Sequence, residues 1–492
     1  MRRALLLAVC LATVAAVTSA RRAGGPEQIP PPVPAAAELE GSRTPSAPAS
    51  DARGGTRLQR ELQVNVSNAP QRQREVSIAV DPSNPAVLVA GSNSRPGSTR
   101  AYASTDGGAT WTSTSAPALP PGSSDACGTD PAVGIDLRGR QYFAFAVITP
   151  CGIEGQGTLL VATRTGPRAD WVTPEAPIAA PERGSFDDKP ALAVDTSPDS
   201  PYSNRAYVAW TRYLGRTRVG VLLSRSDDGR TWSAPVSVNS TKTLGASYAS
   251  IGIARDGTVY VAWEDWVVGA IRIARSTDGG ATFGQQQLVS RVVSKTLRCD
   301  PYGTAIPAAP RSCVRPNPVV SVDRSRGPFA GRVYVTYANP ARDGSEDVYV
   351  AAFRPDLSLL AGFPRRVNRT DRRYASDQFW PASALDPAGG TLWVCFYDTS
   401  GDPTRVRAVF SCTASRDGGR TWPAPVRAAS VASNERQAAA DSGPEGREYG
   451  DYQGLAVADG VAHPIWTDTR KIASRREEIY TTALDLRRLR VR

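Results

Sequence analysis

The chain has 492 residues, with 40 prolines, 43 glycines, a formal net charge of +11 and a single histidine. That length admits several domains or one large repeat domain, and one histidine (His463, in an apolar stretch) argues against His-based catalytic triads and His-ligated metals, so no cofactor and no metal are expected. Lysine occurs only at 189, 242, 295 and 471; the arginines are scattered apart from the tail Arg487, Arg488, Arg490 and Arg492, which reads as compositional bias and not as a nucleic-acid footprint.

Residues 1–20 have the form of a secretory signal peptide. Arg2 and Arg3 precede an apolar run over 4–17, and Thr18-Ser19-Ala20 supplies small residues for cleavage. The run is too short to span a bilayer, and no other stretch is apolar enough, so no membrane insertion is expected. An exported protein of this kind is expected to be secreted. Residues 21–57 are rich in Pro, Ala, Gly and Ser and read as a linker. Setting aside Cys10 inside the leader, six cysteines remain. In an oxidising compartment their spacing suggests bridges Cys127–Cys151, Cys299–Cys313 and Cys395–Cys412.

From 58 to 492 the chain is short β runs and turn signals with no convincing helix. Seven apolar runs open a repeating unit, at 76–81, 132–136, 190–195, 250–256, 318–323, 381–386 and 454–459. Each is followed by a Tyr-Val-Ala-Trp type strand, at 87–90, 142–147, 206–210, 259–263, 333–337, 392–397 and 462–466. Third and fourth strands follow, such as 219–224 and 235–239. Four antiparallel strands per unit predict an all-β fold, a β-propeller of seven blades, with six as the alternative. The last unit lacks a fourth strand, and 61–67 has the alternation to supply it, so the N-terminus should close the ring. A monomer is expected.

Between third and fourth strands a turn motif recurs four times, with the pattern S-x-D-x-G-x-T-W: Ser104 to Trp111, Asp227 to Trp232 with Arg225 at the serine position, Ser276 to Phe283, and Ser415 to Trp422. The carboxylate should accept turn amides, the glycine should supply positive φ, and the aromatic should pack beneath. In blades 2 and 5 only fragments remain, around Asp170-Trp171 and Pro355-Asp356. The motif resembles the Asp-box, or BNR repeat, of sialidases and other Asp-box β-propellers. In that family the boxes lie on the face away from the active site.

The active face should carry the starts of the first strands and the ends of the second. These positions hold Glu75, Asp130, Asp188, Asp377, Trp380 and Asp451, then Arg212, Asp265, Trp266, Asp398, Asp468 and Arg470. Carboxylates, rings and a few arginines suit a carbohydrate or glycoprotein ligand, because carboxylates supply acid, base or nucleophile and rings stack on sugar faces. The resemblance implies three arginines for a sialic acid carboxylate, with candidates Arg212, Arg315 and Arg470. It implies a tyrosine nucleophile, Tyr449 or Tyr452 beside Glu448, and an acid among Asp130, Asp187 and Asp188. The family's first-blade arginine position holds Glu75 here, which predicts weak or no sialidase activity. Three readings therefore stand: a sialidase-type glycoside hydrolase, a non-catalytic propeller for protein or glycan, and a hydrolase of neutral or cationic sugars using two carboxylates.

Overall fold

The computed structural model describes residues 63–486, apart from 95–96, 122, 153–154, 180–181, 183, 215–217, 241–244, 293–303, 369–373, 440–448 and 471–476. The leader, the linker, the arginine tail, Glu448 and the Cys299–Cys313 pairing lie outside the described residues.

Alternation of β-branched and aromatic residues with alanine lets a strand pack on both faces, and the second strands show the result. Gln141–Thr149, Ala206–Leu214 and Val259–Asp265 are buried along nearly their whole length, on both sides of the pleat. They are the middle strands of small sheets stacked face to face. Seven such sheets exist. Their first strands are Gln73–Val80, Cys127–Ile135, Ser185–Val194, Ala246–Ile253, Val319–Val322, Gln378–Leu385 and Gly454–Ala458. The first strands of consecutive sheets pack against one another all the way round, that of blade 7 against that of blade 1. The fold is thus a seven-bladed propeller, and the six-bladed alternative falls.

Seven hydrophobic clusters fill the interfaces between neighbouring blades. In blades 1 and 3 to 6 the outermost, fourth strand pairs with the third. In blade 2 it shrinks to a bridge between Thr163 and Val172. In blade 7 it comes from the N-terminus: Val64–Asn65 pairs with Glu478–Thr481, Val64 opposite Thr481 and Asn65 opposite Tyr480. Val66 adds a backbone bond to the Ile479 carbonyl at 2.8 Å and is buried in the cluster between blades 7 and 1. The ring closes on itself and leaves no open edge there.

Two of the three expected disulfides are formed, Cys127–Cys151 and Cys395–Cys412, the second between directly opposed residues of adjacent strands. Helix is confined to Glu435–Ala439 among the described residues, and none is long and apolar enough to cross a membrane.

The four motif turns share one set of hydrogen bonds. In the fourth, Ser415 Oγ donates to Asp417 Oδ1 at 2.7 Å, Thr421 N to the same oxygen at 2.9 Å, and Thr421 Oγ1 to Oδ2 at 2.6 Å. Gly418 and Gly419 have φ of +72° and +81°, and the Trp422 indole donates to the Gly419 carbonyl at 3.2 Å. Burial works against the charge on Asp278 and Asp417, but these bonds win and pull both carboxyls down to about 2. In the second copy the turn is one residue shorter than in the others. Its serine is Ser226, not Arg225, and its acceptor is Asp228: Ser226 Oγ lies 3.0 Å and Thr231 N 2.7 Å from Asp228 Oδ1. Asp227 instead pairs with Arg205. Each turn joins a third strand to a fourth. By chain direction it therefore lies on the face opposite the starts of the first strands.

Candidate functional site

At the entrance to the first strands one backbone irregularity recurs. Glu75, Asp130, Lys189, Tyr248, Asn317 and Trp380 have φ of +55°, +55°, +50°, +55°, +43° and +47°. Glu75, Asp130, Lys189, Asn317 and Trp380 stand six residues before the end of their opening runs, and Tyr248 eight. The ladder slips there in blades 1, 2, 4 and 6. Asp130, Lys189, Asn317 and Trp380 are each followed by proline, which donates no ladder bond and favours a bulge. Left-handed backbone costs a residue with a Cβ roughly 1–2 kcal/mol, yet none of these positions is glycine. A bulge of this kind re-aims its side chain toward the axis, and such strain accumulates where function demands it.

Four of these side chains converge with blade 7. Asn93 Nδ2 donates to the Glu75 carboxylate and lies 3.4 Å from Asp130 Oδ1. The Asp130 amide donates to Asn93 Oδ1 at 2.7 Å. Glu75 Oε1 accepts the Asp451 amide at 3.2 Å. Lys189 Nζ sits 2.5 Å from Asp451 Oδ2, and the Tyr248 hydroxyl donates to that oxygen at 3.3 Å. Lys189 also lies 4.8 Å from the Tyr248 ring centroid and 5.5 Å from that of Tyr452, and Arg315 lies 5.1 Å from the Tyr248 ring. All of the carboxylates in this cluster are buried.

The protonation pattern follows from these neighbours. Burial, with Asp188 beside it, pushes the Asp130 carboxyl up against the pull of Lys189. Burial opposes the charge on Lys189, but Asp451, Tyr248, Asp130 and Glu75 outweigh it and hold the ammonium well above its ordinary range. Burial and the charges of Asp130 and Glu75 push the Tyr452 hydroxyl up, so it stays a phenol. The cluster therefore joins a carboxyl that favours its proton, Asp130, to a carboxyl paired with a buried ammonium, Asp451.

The structure thus brings together Glu75, Asp130, Asp188, Asp451, Tyr452 and Arg315 from the residues named by sequence. The others sit elsewhere. Arg212 grips Asp187 through both oxygens, at 2.7 and 2.6 Å, across blade 3. Arg470 is held by Asp468 at 2.7 Å, by Gln63 at 2.8 Å, and over the Tyr480 ring at 3.9 Å, tying blade 7 to the closing strand. Asp265 pairs with Arg272 at 2.8 Å on the next strand. Asp377 holds Arg405 and so the loop after the second strand of blade 6. Asp398 caps its own turn through Ser400 at 2.8 Å. Trp380 and Tyr449 are buried in an aromatic cluster with Phe379 and Tyr397, their ring centroids 5.7 Å apart. Trp266 is half-buried beside exposed Val267 and Val268. Three arginines do not converge among the described residues.

Asn93, Lys189 and Tyr248, which the sequence also places at a second-strand end and at first-strand starts, complete the cluster. Lys189 carried a signal: it is one of four lysines in an arginine-dominated chain, and a compact ammonium suits a buried point contact that the forked guanidinium does not.

No family model matches the chain, and no curated protein does. Solved structures do. A Hadza microbial sialidase is 15% identical over 82% of this chain and 75% of that one, with a TM-score of 0.43. An α-L-arabinanase of Penicillium chrysogenum complexed with arabinobiose is 12% identical over 87% and 98%, TM-score 0.45. A GH93 α-L-arabinofuranosidase of Fusarium graminearum is 10% identical over 87% and 98%, TM-score 0.47.

Proposed function

We propose that the protein is secreted and that its funnel binds the end of a neutral or cationic glycan and hydrolyses a glycosidic bond there. The observation that carries this reading is the convergence of Glu75, Asp130, Asp188 and Asp451 around a single lysine, with no trio of arginines beside them among the described residues. A sialic acid would bring a further carboxylate into that field and be repelled. Asp130, held protonated, donates its proton to the leaving oxygen. Asp451, paired with Lys189 and Tyr248, stabilises positive charge at the anomeric carbon; water then adds to that carbon and its proton returns to Asp130. Glu75 orients both, through Asn93 and the Asp451 amide, and Tyr452 offers a ring face to the sugar. The two disulfides suit an oxidising compartment.

The test is release from a panel of fluorogenic neutral glycosides and sialosides by the purified protein. Turnover of a neutral glycoside is expected, reduced by roughly 10²–10⁴ in Asp130→Asn, with melting unchanged. Binding without turnover of any glycoside would leave a non-catalytic propeller. Robust release of sialic acid, abolished by Tyr452→Phe, would overturn the substrate class.

A further inference from the structure

Arginines that are scattered along the sequence are gathered by the fold. The turns that join first to second and third to fourth strands lie on the face away from the funnel. Over blades 5 and 6 those turns and the strand that follows present Arg326, Arg354, Arg365, Arg416 and Arg420, all exposed. Of the acids in the same turns, Asp323 and Asp386 are buried and Asp417 is half-buried within its own motif. Only Asp356 is exposed, and it accepts Ser358 N at 2.9 Å and Ser358 Oγ at 2.6 Å. Arg326, 81% exposed, also reaches Asp199 of blade 3 at 3.8 Å, a carboxylate already held by Arg255. The corresponding turns of blade 1, over 81–87 and 105–111, hold Asp81 and Asp106 and no arginine. The charge is therefore polarised across the face.

The patch is continuous. Arg365 Nη1 donates to the Arg420 carbonyl at 3.1 Å. A side chain at Gly418 would collide with Arg332 and Phe329, and one at Gly419 would touch Phe363. The Arg332 guanidinium lies 4.4 Å from the Phe329 ring centroid, and that of Arg365 5.9 Å from the Phe363 centroid. The turns of blade 5 and the motif turn of blade 6 thus form one surface. Blade 5 adds an apolar tip to it. Where the intact motifs carry serine, aspartate and threonine, residues 354–364 carry Leu357, Leu359, Leu360 and Phe363. Leu357 is buried, Leu360 and Phe363 are half-buried, and Leu359 is 44% exposed in the stretch bounded by Arg354 and Arg365.

We propose that this face docks on an anionic lipid surface, with the arginines of blades 5 and 6 on the headgroup phosphates and Leu359 entering between them. A soluble polyanion needs the charges alone, whereas a bilayer interface rewards cations that meet phosphates together with an apolar group that enters beneath them. The guanidinium fork matches phosphate oxygens. Docked this way the protein lies on the bilayer without spanning it, and the funnel, on the opposite face, points to the solvent. The docking does not depend on what the funnel does.

Co-sedimentation of the purified protein with vesicles of phosphatidylcholine, alone and mixed with phosphatidylglycerol, tests this. Binding to the mixed vesicles only is expected, weakening as salt rises. The triple variant Arg354→Glu, Arg416→Glu and Arg420→Glu should bind roughly tenfold more weakly or worse, and Leu359→Ser several-fold more weakly. The control Arg138→Glu, Arg168→Glu and Arg230→Glu reverses three exposed arginines of blades 2 and 3 on the same face. It has the same net charge as the first triple variant and should bind like the parent. Equal losses in the two triple variants would trace binding to net charge and overturn the proposal. Unchanged affinity in Leu359→Ser, or capture on dextran sulfate without capture by vesicles, would make the partner a soluble polyanion and overturn the lipid surface.

Discussion

Glu264, at the end of the second strand of blade 4, should make the stability of this protein fall between mildly acidic and neutral pH. The residue is buried, its Oε2 has no hydrogen-bond partner, and burial pushes its carboxyl up to about 7, with Asp265 adding to the shift and Arg315 opposing it. In the unfolded chain a glutamate titrates near 4.3. The folded state therefore holds a proton that the unfolded state has released between about pH 4.5 and 7. A raised carboxyl favours folding below the unfolded value and loses that advantage as pH climbs toward the folded one. A shift of this size corresponds to roughly 3.5 kcal/mol in full, most of it lost between pH 5 and 8. Glu346, pushed up to about 8 by burial, acts in the same direction. The perturbation is Glu264→Gln, which removes the titration and keeps the shape. Urea denaturation at pH 5 and pH 8 is the assay. The parent should be less stable at pH 8, and Glu264→Gln should lose less of its stability over that interval, by about 3 kcal/mol. Equal losses in parent and variant would refute the reasoning, as would a parent whose stability rises from pH 5 to 8.

Asp417→Ala should destabilise by roughly 1–3 kcal/mol, since four donors lose their acceptor, while ligand affinity stays intact because the turn lies on the other face; unfolding and binding measured together check both. Val66→Pro removes the amide that bonds to Ile479 and should cost roughly 1–3 kcal/mol, seen as a lower denaturation midpoint with earlier aggregation; an unchanged midpoint would remove the closing strand from the stability of the ring. At the strained position Asn317, φ +43°, alanine should be about 1 kcal/mol less stable than glycine, and equal midpoints for the two variants would show the bulge to be unstrained in solution.

Much of the fold was legible because a propeller repeats. Seven opening runs ending near Asp81, Asp136, Asp195, Asp256, Asp323, Asp386 and Asp459 are visible in one dimension, and the orphan alternation around Val64 can only complete the blade that lacks a strand. The pair Cys395 and Cys412 was legible for the same reason, because a hairpin of two apolar strands fixes their register. The site was less so. Periodicity places Asp130, Asp265, Asp398 and Asp468 at strand ends facing the same side, but it does not say which of them finds a cation or a turn amide on its own blade. Asp398 meets Ser400 and Asp468 meets Arg470, two residues on. Asp130 meets Asn93 from the preceding blade. Contacts between blades join residues far apart in sequence, and no local pattern encodes them. The off-by-one reading of the second motif has a similar origin: Asp227 and Asp228 are chemically interchangeable in the sequence, and only the turn hydrogen bonds choose between them.

The bulge ring places strained backbone where neither the fold nor the pairing requires it. A propeller of this size closes with any residue at the entrance of its first strands, and glycine there would carry no left-handed penalty. Instead Glu75, Asp130, Lys189 and Tyr248 occupy strained backbone and are held by one another and by Asn93 and Asp451. Each contact that fixes one of these side chains also constrains the next. Lys189 neutralises Asp451, which accepts Tyr248 and whose amide anchors Glu75, which shares Asn93 with Asp130. Such a chain is costly to assemble, because every member is buried and charged or polar, and truncating one partner leaves another uncompensated by 3–5 kcal/mol where it was an ion pair. On the proposed function, that cost is what holds the acid and the paired carboxylate in register at one end of the axis, on side chains from five of the seven blades.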